Sequence, residues 1–482
     1  MAQSIFSNTL ISGAGRIGTI VLGIATTALV TRYLGAAGYG SYALLLSVGT
    51  MVQIAADFGL YLTLTRDIAE QEKKEQELFG IISSLRAALL VAWIGTAAVV
   101  ITLLPQYRAL LPVFVIIALG LVAQSFSQLL MGVYQKYKEV WKATFGDVIG
   151  RLLQFGIVFL IVRQVPISSV SATTAVLYMA GAFLAGAVVA YGVHVLLVPA
   201  IQPWRFQVSP ARWWVLLKSS WPLGLLLVLN VIYFRTDIVI ISLFRSSDEV
   251  GLYGLAYRII ESGLFFPAMF GGLLLPQLAV LYSRQAYSVV QRLLEQALRF
   301  MVIVGVLAAG SLAIFASDIL IFLSGVEFAA AAPIVQILAG ALAFMFVGNI
   351  FGFALVSLHK QKQLLLLYAA LVAGNVAANL IFVPLYGAIA AAWTTLVTEG
   401  AATLTAGWLV WKEIRFRVPV IVIISSLAIA AVSGGVALLL SDTWHILVRL
   451  CVLAVLYVAI AVFVRTLDPR SMSLLLQKKH II

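Results

Sequence analysis

The chain has 482 residues, 62% of them hydrophobic and only 10% charged, with a mean hydropathy of +1.07. So much apolar surface excludes a water-soluble domain, and with it the nucleic-acid binding that a net charge of +12 would suggest in a soluble protein. The lone cysteine, Cys451, excludes an internal disulfide.

A hydrocarbon core takes about 20 apolar residues per helix. Fourteen such stretches follow one another, at roughly 8–31, 39–63, 79–103, 110–131, 143–163, 172–197, 219–243, 252–282, 296–322, 332–357, 363–383, 387–411, 418–440 and 444–466. The spacing predicts an all-α polytopic membrane protein. The first stretch is too long for a cleavable signal and lacks a basic leader, so it reads as an uncleaved first helix. It contains Gly13-Ala14-Gly15-Arg16-Ile17-Gly18. This G-x-G-x-x-G follows no strand, and the next acid is Asp57, so a dinucleotide loop is disfavoured. Small residues at Gly15, Gly18 and Gly23 suit close helix approach instead.

The segment from Asp67 to Glu77 alternates acids and bases and reads as a solvated cytoplasmic helix. Between stretches six and seven, Arg205 to Trp214, with Trp204 and Trp213, reads as an interfacial segment. Lysines and arginines crowd alternate connections. Every lysine lies on one side, including Lys73, Lys74, Lys136, Lys138, Lys142, Lys218, Lys360, Lys362, Lys412, Lys478 and Lys479. The opposite connections hold only Arg32, Arg108, Arg163 and Arg245. The positive-inside rule then predicts an even number of spans in the cell (inner, cytoplasmic) membrane, with both termini cytoplasmic.

The chain reads as duplicated. Gly40-Ser41-Tyr42-Ala43-Leu44 and Gly251-Leu252-Tyr253-Gly254-Leu255 open stretches two and eight with the same G-x-Y-x-L. Gly146-Asp147-Val148-Ile149-Gly150-Arg151-Leu152 in stretch five matches Gly374-Asn375-Val376-Ala377-Ala378-Asn379-Leu380 in stretch eleven. Six spans per copy give a parallel repeat, an arrangement used by transporters. The predicted parts are residues 1–200 (spans 1–6), 201–414 (spans 7–12) and 415–482 (two further spans and a tail).

A charge at mid-membrane costs roughly 2.5–3.5 kcal/mol on insertion scales, so charges within spans carry most of the functional information. They are Arg16, Arg86, Arg151, Arg235, Arg258 and Arg449, with Asp57, Asp147, Asp237, Glu261, Asp318 and Glu399. Arg449 sits near a boundary, where it can snorkel. Asp147 with Arg151 and Arg258 with Glu261 are spaced as helix-face pairs, either structural or functional. Arg16, Arg86 and Arg151 each lie about seven or eight residues into a span, roughly 10–12 Å deep. Guanidinium forks at one depth suit phosphate oxygens, so these three are candidate anion-binding residues. Asp57 and Glu399 lack a local partner; with Asp147 they are candidates for a coupling proton or sodium ion, or for helix–helix hydrogen bonds. Asn230, Asn349, Asn375, Asn379, Gln124, Gln128 and Gln154 could contact sugars or join helices. No clustered metal ligands, phosphate-loop lysine or catalytic constellation is present, so no catalytic residue, metal or cofactor is expected.

Tyr33-Leu34-Gly35-Ala36-Ala37-Gly38-Tyr39-Gly40-Ser41-Tyr42-Ala43, then Ala56-Asp57-Phe58-Gly59-Leu60 and Thr65-Arg66-Asp67-Ile68-Ala69, resemble the opening of polysaccharide (Wzx-like) flippases. These form a branch of the multidrug/oligosaccharidyl-lipid/polysaccharide exporter superfamily. Val250-Gly251-Leu252-Tyr253, Asn375-Val376-Ala377-Ala378-Asn379 and Val383-Pro384-Leu385-Tyr386-Gly387-Ala388 are also similar to that family, over about residues 8–410. The resemblance implies two six-helix lobes about a cavity and alternating-access transfer of lipid-linked oligosaccharide, in company with membrane lipid and polysaccharide assembly proteins. It implies a cationic site at Arg16, Arg86 and Arg151, extended by Arg235 and Arg258. The alternatives are a drug/cation antiporter of the same fold, which favours an acid in span 1 where this chain has Arg16, a peptidoglycan-precursor flippase, or a membrane glycan polymerase, which would carry a large outer loop.

Overall fold

The computed structural model describes residues 2–70, 75–198, 205–440, 444–464 and 466. Lys73, Lys74, Trp204, Lys478 and Lys479 lie outside them. The described chain is helical throughout, as a polytopic chain must be: lipid offers no hydrogen-bond partners, and an α-helix satisfies its own backbone.

Twelve stretches among the described residues are long and apolar enough to cross a membrane. The first, Gly15–Ile68, covers predicted spans one and two. Helix α1 (Ala2–Asp57) runs through both but breaks at Gly35, whose φ of 66° and ψ of −176° lie outside the helical region. Helix α14 (Ala388–Ile414) falls outside the twelve because threonines and Glu399 dilute its hydropathy. Dividing the first stretch at Gly35 and adding α14 restores the fourteen spans read from the sequence.

The first compact unit runs to Gly251 and the second starts at Leu252. Within the first unit, α7 (Pro210–Phe244) packs on α1 and also touches α2 (Leu60–Glu70) and α3 (Glu75–Leu103). The rest of that unit is α4 (Leu111–Lys136), α5 (Val140–Gln164), α6 (Ala172–Leu197) and the first turn of α8 (Ser247–Gly263). Core residues Leu60, Leu64, Phe79, Ile82, Leu130 and Tyr134 join α2, α3 and α4.

The second unit holds the rest of α8, α9 (Phe265–Ser283), α10 (Tyr287–Ile314), α11 (Ala316–Ser324), α12 (Ala332–Ser357), α13 (Gln361–Tyr386) and α14. It also contains α15 (Val420–Leu438) and α16 (Ile446–Phe463), which pack on α10; Tyr457 donates to the Ile303 carbonyl at 2.9 Å. Both helices fall within this unit. Helix α10 starts nine residues before the predicted span, because Val290, Leu293 and Leu294 bury one face of an amphipathic turn. Lys360, in the connection after α12, pairs with Glu413 at 2.6 Å, and that carboxylate holds its ammonium above the usual lysine range.

Two recognition motifs have steric explanations. At Phe58 and Gly59 the chain turns left-handed, with φ of 40° and 78°. That turn rests on α7, where a β-carbon on Gly224 would come 2.6 Å from the Phe58 carbonyl oxygen. Nearby, Thr63 and Ser220 hydroxyls share a 2.7 Å hydrogen bond. The glycines of the repeated G-x-Y-x-L meet each other: a β-carbon on Gly40 would strike the Ser247 carbonyl oxygen, and one on Gly251 the Ala36 carbonyl oxygen. Backbone cannot swing aside as a side chain can. Gly40→Val is therefore expected to cost more than the ~1–3 kcal/mol of ordinary overpacking. Size-exclusion chromatography of detergent extracts should show loss of the folded peak, while Gly18→Ala, facing open space, leaves it unchanged.

Where it is described, the end of the acidic segment is packed rather than solvated, and residues 71–74 lie outside the described residues. Glu75 is buried at the start of α3, where it accepts from Lys136 at 2.8 Å and from the Tyr137 hydroxyl at 3.0 Å. Glu77 pairs with Arg212. The connection before α7 runs along α3: Gln207 donates from its backbone to Gly80, and Trp213 donates to Ser84.

Candidate functional site

Helix α5 carries the clearest site. Its lipid side is apolar and exposed: Phe145, Leu152, Leu153, Phe159 and Leu160. At 3.6 residues per turn, Asp147 and Arg151 fall on the opposite sector, among the buried Ala143, Thr144, Gln154 and Val158. Yet the Asp147 side chain is 50% exposed and Arg151 is half-buried. Exposure on this sector sets the two charges apart from the apolar residues on the opposite side of the helix.

Arg151 donates from Nη1 to Oε1 of Gln154 at 3.0 Å and lies in electrostatic reach of Asp147. Arg16 of α1 reaches the same carboxylate and also Tyr61 of α2. Its guanidinium is exposed. It is placed by Gly15, where a β-carbon would strike Thr144 of α5, so the helices touch there and Arg16 stands at the edge of the contact. That explains Gly15 as a packing glycine, whereas Gly13 and Gly18 have open space before them. Tyr61 accepts at its hydroxyl from Gln135 Nε2 at 2.6 Å.

On the other side α5 is clamped to α6. A β-carbon on Gly150 would come 2.5 Å from the Gly186 carbonyl oxygen, and Gly146 lies flat against the His194 ring. Small residues let the two backbones approach. His194 is buried with Nε2 3.6 Å from Asp147 Oδ1. Nothing local in the sequence marks it; only the α5–α6 contact does.

Arg86 is placed differently. Its side chain is fully buried, with Nη1 3.0 Å from Asp57 Oδ1 and Nη2 donating to Gln128 Oε1 at 2.8 Å. Asp57 also accepts from the Tyr61 backbone N–H at 3.1 Å. Asp57 thus has a partner on another helix, and Arg86 presents no surface to a ligand in this arrangement. Arg86 and Arg151 each lie eleven residues beyond their own helix starts, about 16 Å along. Arg235 lies farther along its helix. The starts of α7 and α3 are level, tied by Arg212 and Glu77, and Arg235 lies twenty-five residues beyond Pro210, roughly 38 Å along.

In the second unit, Arg258 is 3.5 Å from Glu261, the helix-face pair its spacing suggests. Glu399 is buried in α14 within electrostatic reach of Tyr368 of α13. Arg449 does not snorkel: its side chain is 6% exposed, 3.4 Å from Asp318, with the guanidinium over the Phe315 ring.

The two stretches matched in the sequence offer a comparison within one molecule. The counterparts of Asp147 and Arg151 are Asn375 and Asn379 of α13. Both are buried; Asn379 donates to Asn375 at 3.0 Å, and Asn375 donates to Thr398 of α14 at 3.2 Å. The second copy thus uses these positions, uncharged, to join two helices. Packing alone does not demand the charges that the first copy keeps in the open.

Solved structures share this architecture. The lipid II flippase MurJ, in an inward closed conformation, matches with a TM-score of 0.79 at 12% identity, over 95% of this chain and 99% of that one. An inward-facing multidrug resistance MATE family transporter of the MOP superfamily matches with a TM-score of 0.64 at 15% identity, over 82% and 94%. Both likenesses concern the fold. In sequence, the probable low-salt glycan biosynthesis flippase Agl15 of Haloferax volcanii is 23% identical over 384 residues, 77% of this chain and 76% of that protein. The family model described as polysaccharide biosynthesis protein matches residues 5–282, more than half of the chain, and the chain belongs to that family.

Proposed function

We propose that this protein is a flippase for lipid-linked oligosaccharide in polysaccharide biosynthesis. Arg16 and Arg151 hold the phosphate or diphosphate of the carrier, the polyprenyl tail stays in the bilayer, and alternating access moves the headgroup from the cytoplasmic to the outer face. The observation that carries this reading is the open pair of arginines around Asp147, on the lipid-averted side of α5. Arg86 with Asp57 serves as a buried strut that sets α3 against α1. Arg235, farther along, meets the headgroup nearer the exit side. Of the three coupling candidates, Asp147 has water access, while Asp57 is engaged with Arg86 and Glu399 is buried. The membrane is the cell's cytoplasmic membrane with both termini inside, and the protein breaks no bond in its cargo.

The reading is tested in proteoliposomes carrying a polyprenyl-diphosphate-linked oligosaccharide with a fluorescent tag. Protein-dependent gain of tag accessibility to an external quencher is expected. Transport of ethidium without movement of the tagged lipid would instead support the cation-antiporter reading.

A further inference from the structure

His194 has no part in the transport reading above, yet its ring is held as if for one. Nε2 lies 2.8 Å from the Ala143 carbonyl oxygen and 3.6 Å from Asp147 Oδ1. Nδ1 is buried without a hydrogen-bond partner. A carbonyl only accepts, so Nε2 carries the hydrogen, and a bare buried Nδ1 fits the neutral tautomer. The ring cannot turn away. Gly146 presses on one side, the Tyr134 ring meets it edge-on at 6.3 Å, and the Tyr134 hydroxyl donates to the His194 carbonyl at 2.7 Å. An imidazole is therefore fixed beside a half-exposed carboxylate.

The charged and titratable groups around that carboxylate are few. Arg16 faces it from α1, Arg151 from its own helix, and His194 from α6. From α4, Tyr134 spends its hydroxyl on the His194 backbone. Tyr61 of α2 lies within reach of Arg16, and Lys142 is engaged with Glu139 at 2.7 Å. With Arg16 and Arg151 charged, Asp147 ionised and His194 neutral, the cluster carries one net positive charge. A diphosphate diester brings two negative charges and leaves the group one negative. A bound headgroup displaces water from these side chains, and an uncompensated charge is then costly. One proton restores neutrality. It also ends the competition between Asp147 and the phosphate oxygens for the same guanidinium forks.

We propose that Asp147 and His194 form a proton-binding dyad that takes up one proton when Arg16 and Arg151 engage a diphosphate headgroup. This rests on the headgroup reading above. The ligand is a proton rather than a metal cation. Hard cations need several oxygen ligands, and here two guanidiniums repel a cation. Among the described residues no three His, Cys, Asp or Glu side chains gather as a metal site. The proton belongs to the pair rather than to either residue, as in any strongly interacting couple. The second copy has Asn375 and Asn379 at the positions of Asp147 and Arg151, so it cannot do the same.

The test uses the full-length protein in nanodiscs of uncharged lipid with a polyprenyl diphosphate as probe. Calorimetry in buffers of different ionisation enthalpy counts protons. Wild type is expected to take up about one proton per diphosphate bound somewhere between about pH 6 and 8. There its affinity falls up to about tenfold per pH unit. Asp147→Asn should bind at least as tightly, with no uptake and no pH slope. His194→Gln, which keeps an N–H for the Ala143 carbonyl, should lower uptake to under about half a proton. Wild-type binding without uptake overturns the dyad and leaves the headgroup site standing. Unchanged uptake in His194→Gln overturns the part of the imidazole. No diphosphate binding by wild type overturns both readings.

Discussion

Arg151→Gln and Arg16→Gln are each expected to weaken polyprenyl-diphosphate binding by about 10–100-fold, and the double variant by about 100–10,000-fold. A hydrogen bond to a charged group contributes roughly 1.5–3 kcal/mol, and about 1.4 kcal/mol is tenfold. Arg16 is exposed and Arg151 only half-buried, so neither loss should unfold the protein. Lysine at either position keeps the charge but not the planar fork, and it should recover only part of the affinity. The check is a binding isotherm on protein whose thermal midpoint matches wild type. Export in a cell lacking its own flippase should fall in the same order. Wild-type affinity in the double variant would remove these arginines from the site.

Arg86→Met should have a different effect: loss of the folded protein. The arginine is fully buried, and without it Asp57 is left as a buried carboxylate with no cation. Breaking such a pair from one side costs about 3–5 kcal/mol. Removing both charges, in Asp57→Asn with Arg86→Met, should recover much of that loss, because neither partner is left stranded. Thermal unfolding followed by tryptophan fluorescence distinguishes the cases. A single variant as stable as wild type, but unable to bind diphosphate, would return Arg86 to the binding residues. The two experiments separate residues that one depth argument had grouped: Arg16 and Arg151 should fail in binding, and Arg86 in folding.

Much of the fold could be read from the chain. The resemblance motifs also have a physical content that the structure makes explicit. Gly59 turns left-handed against α7, and Gly40 and Gly251 let two backbones touch. The candidate site was legible in part. Arg16, Asp147 and Arg151 were marked by the cost of charge in a span. Arg86 carried the same mark, but its burial could not be read, because Asp57, its partner, comes from a different helix. His194 bore no mark at all. Arg449 was expected to reach for the membrane surface and instead meets Asp318 of α11.

By itself, the sequence determined which segments are helices and that they are long and apolar enough to cross a bilayer. Those are local matters. A span in lipid must satisfy its own backbone, and its flanking charges settle its direction. Tertiary structure alone decided which charge stays exposed, which is buried against a partner and which imidazole stands beside which carboxylate. In water, an amphipathic stripe announces the inward face of a helix. Here both faces are apolar, so the rotation of each helix about its axis is left to small-residue contacts such as Gly15 on Thr144 and Gly150 on Gly186, which join positions far apart in the chain.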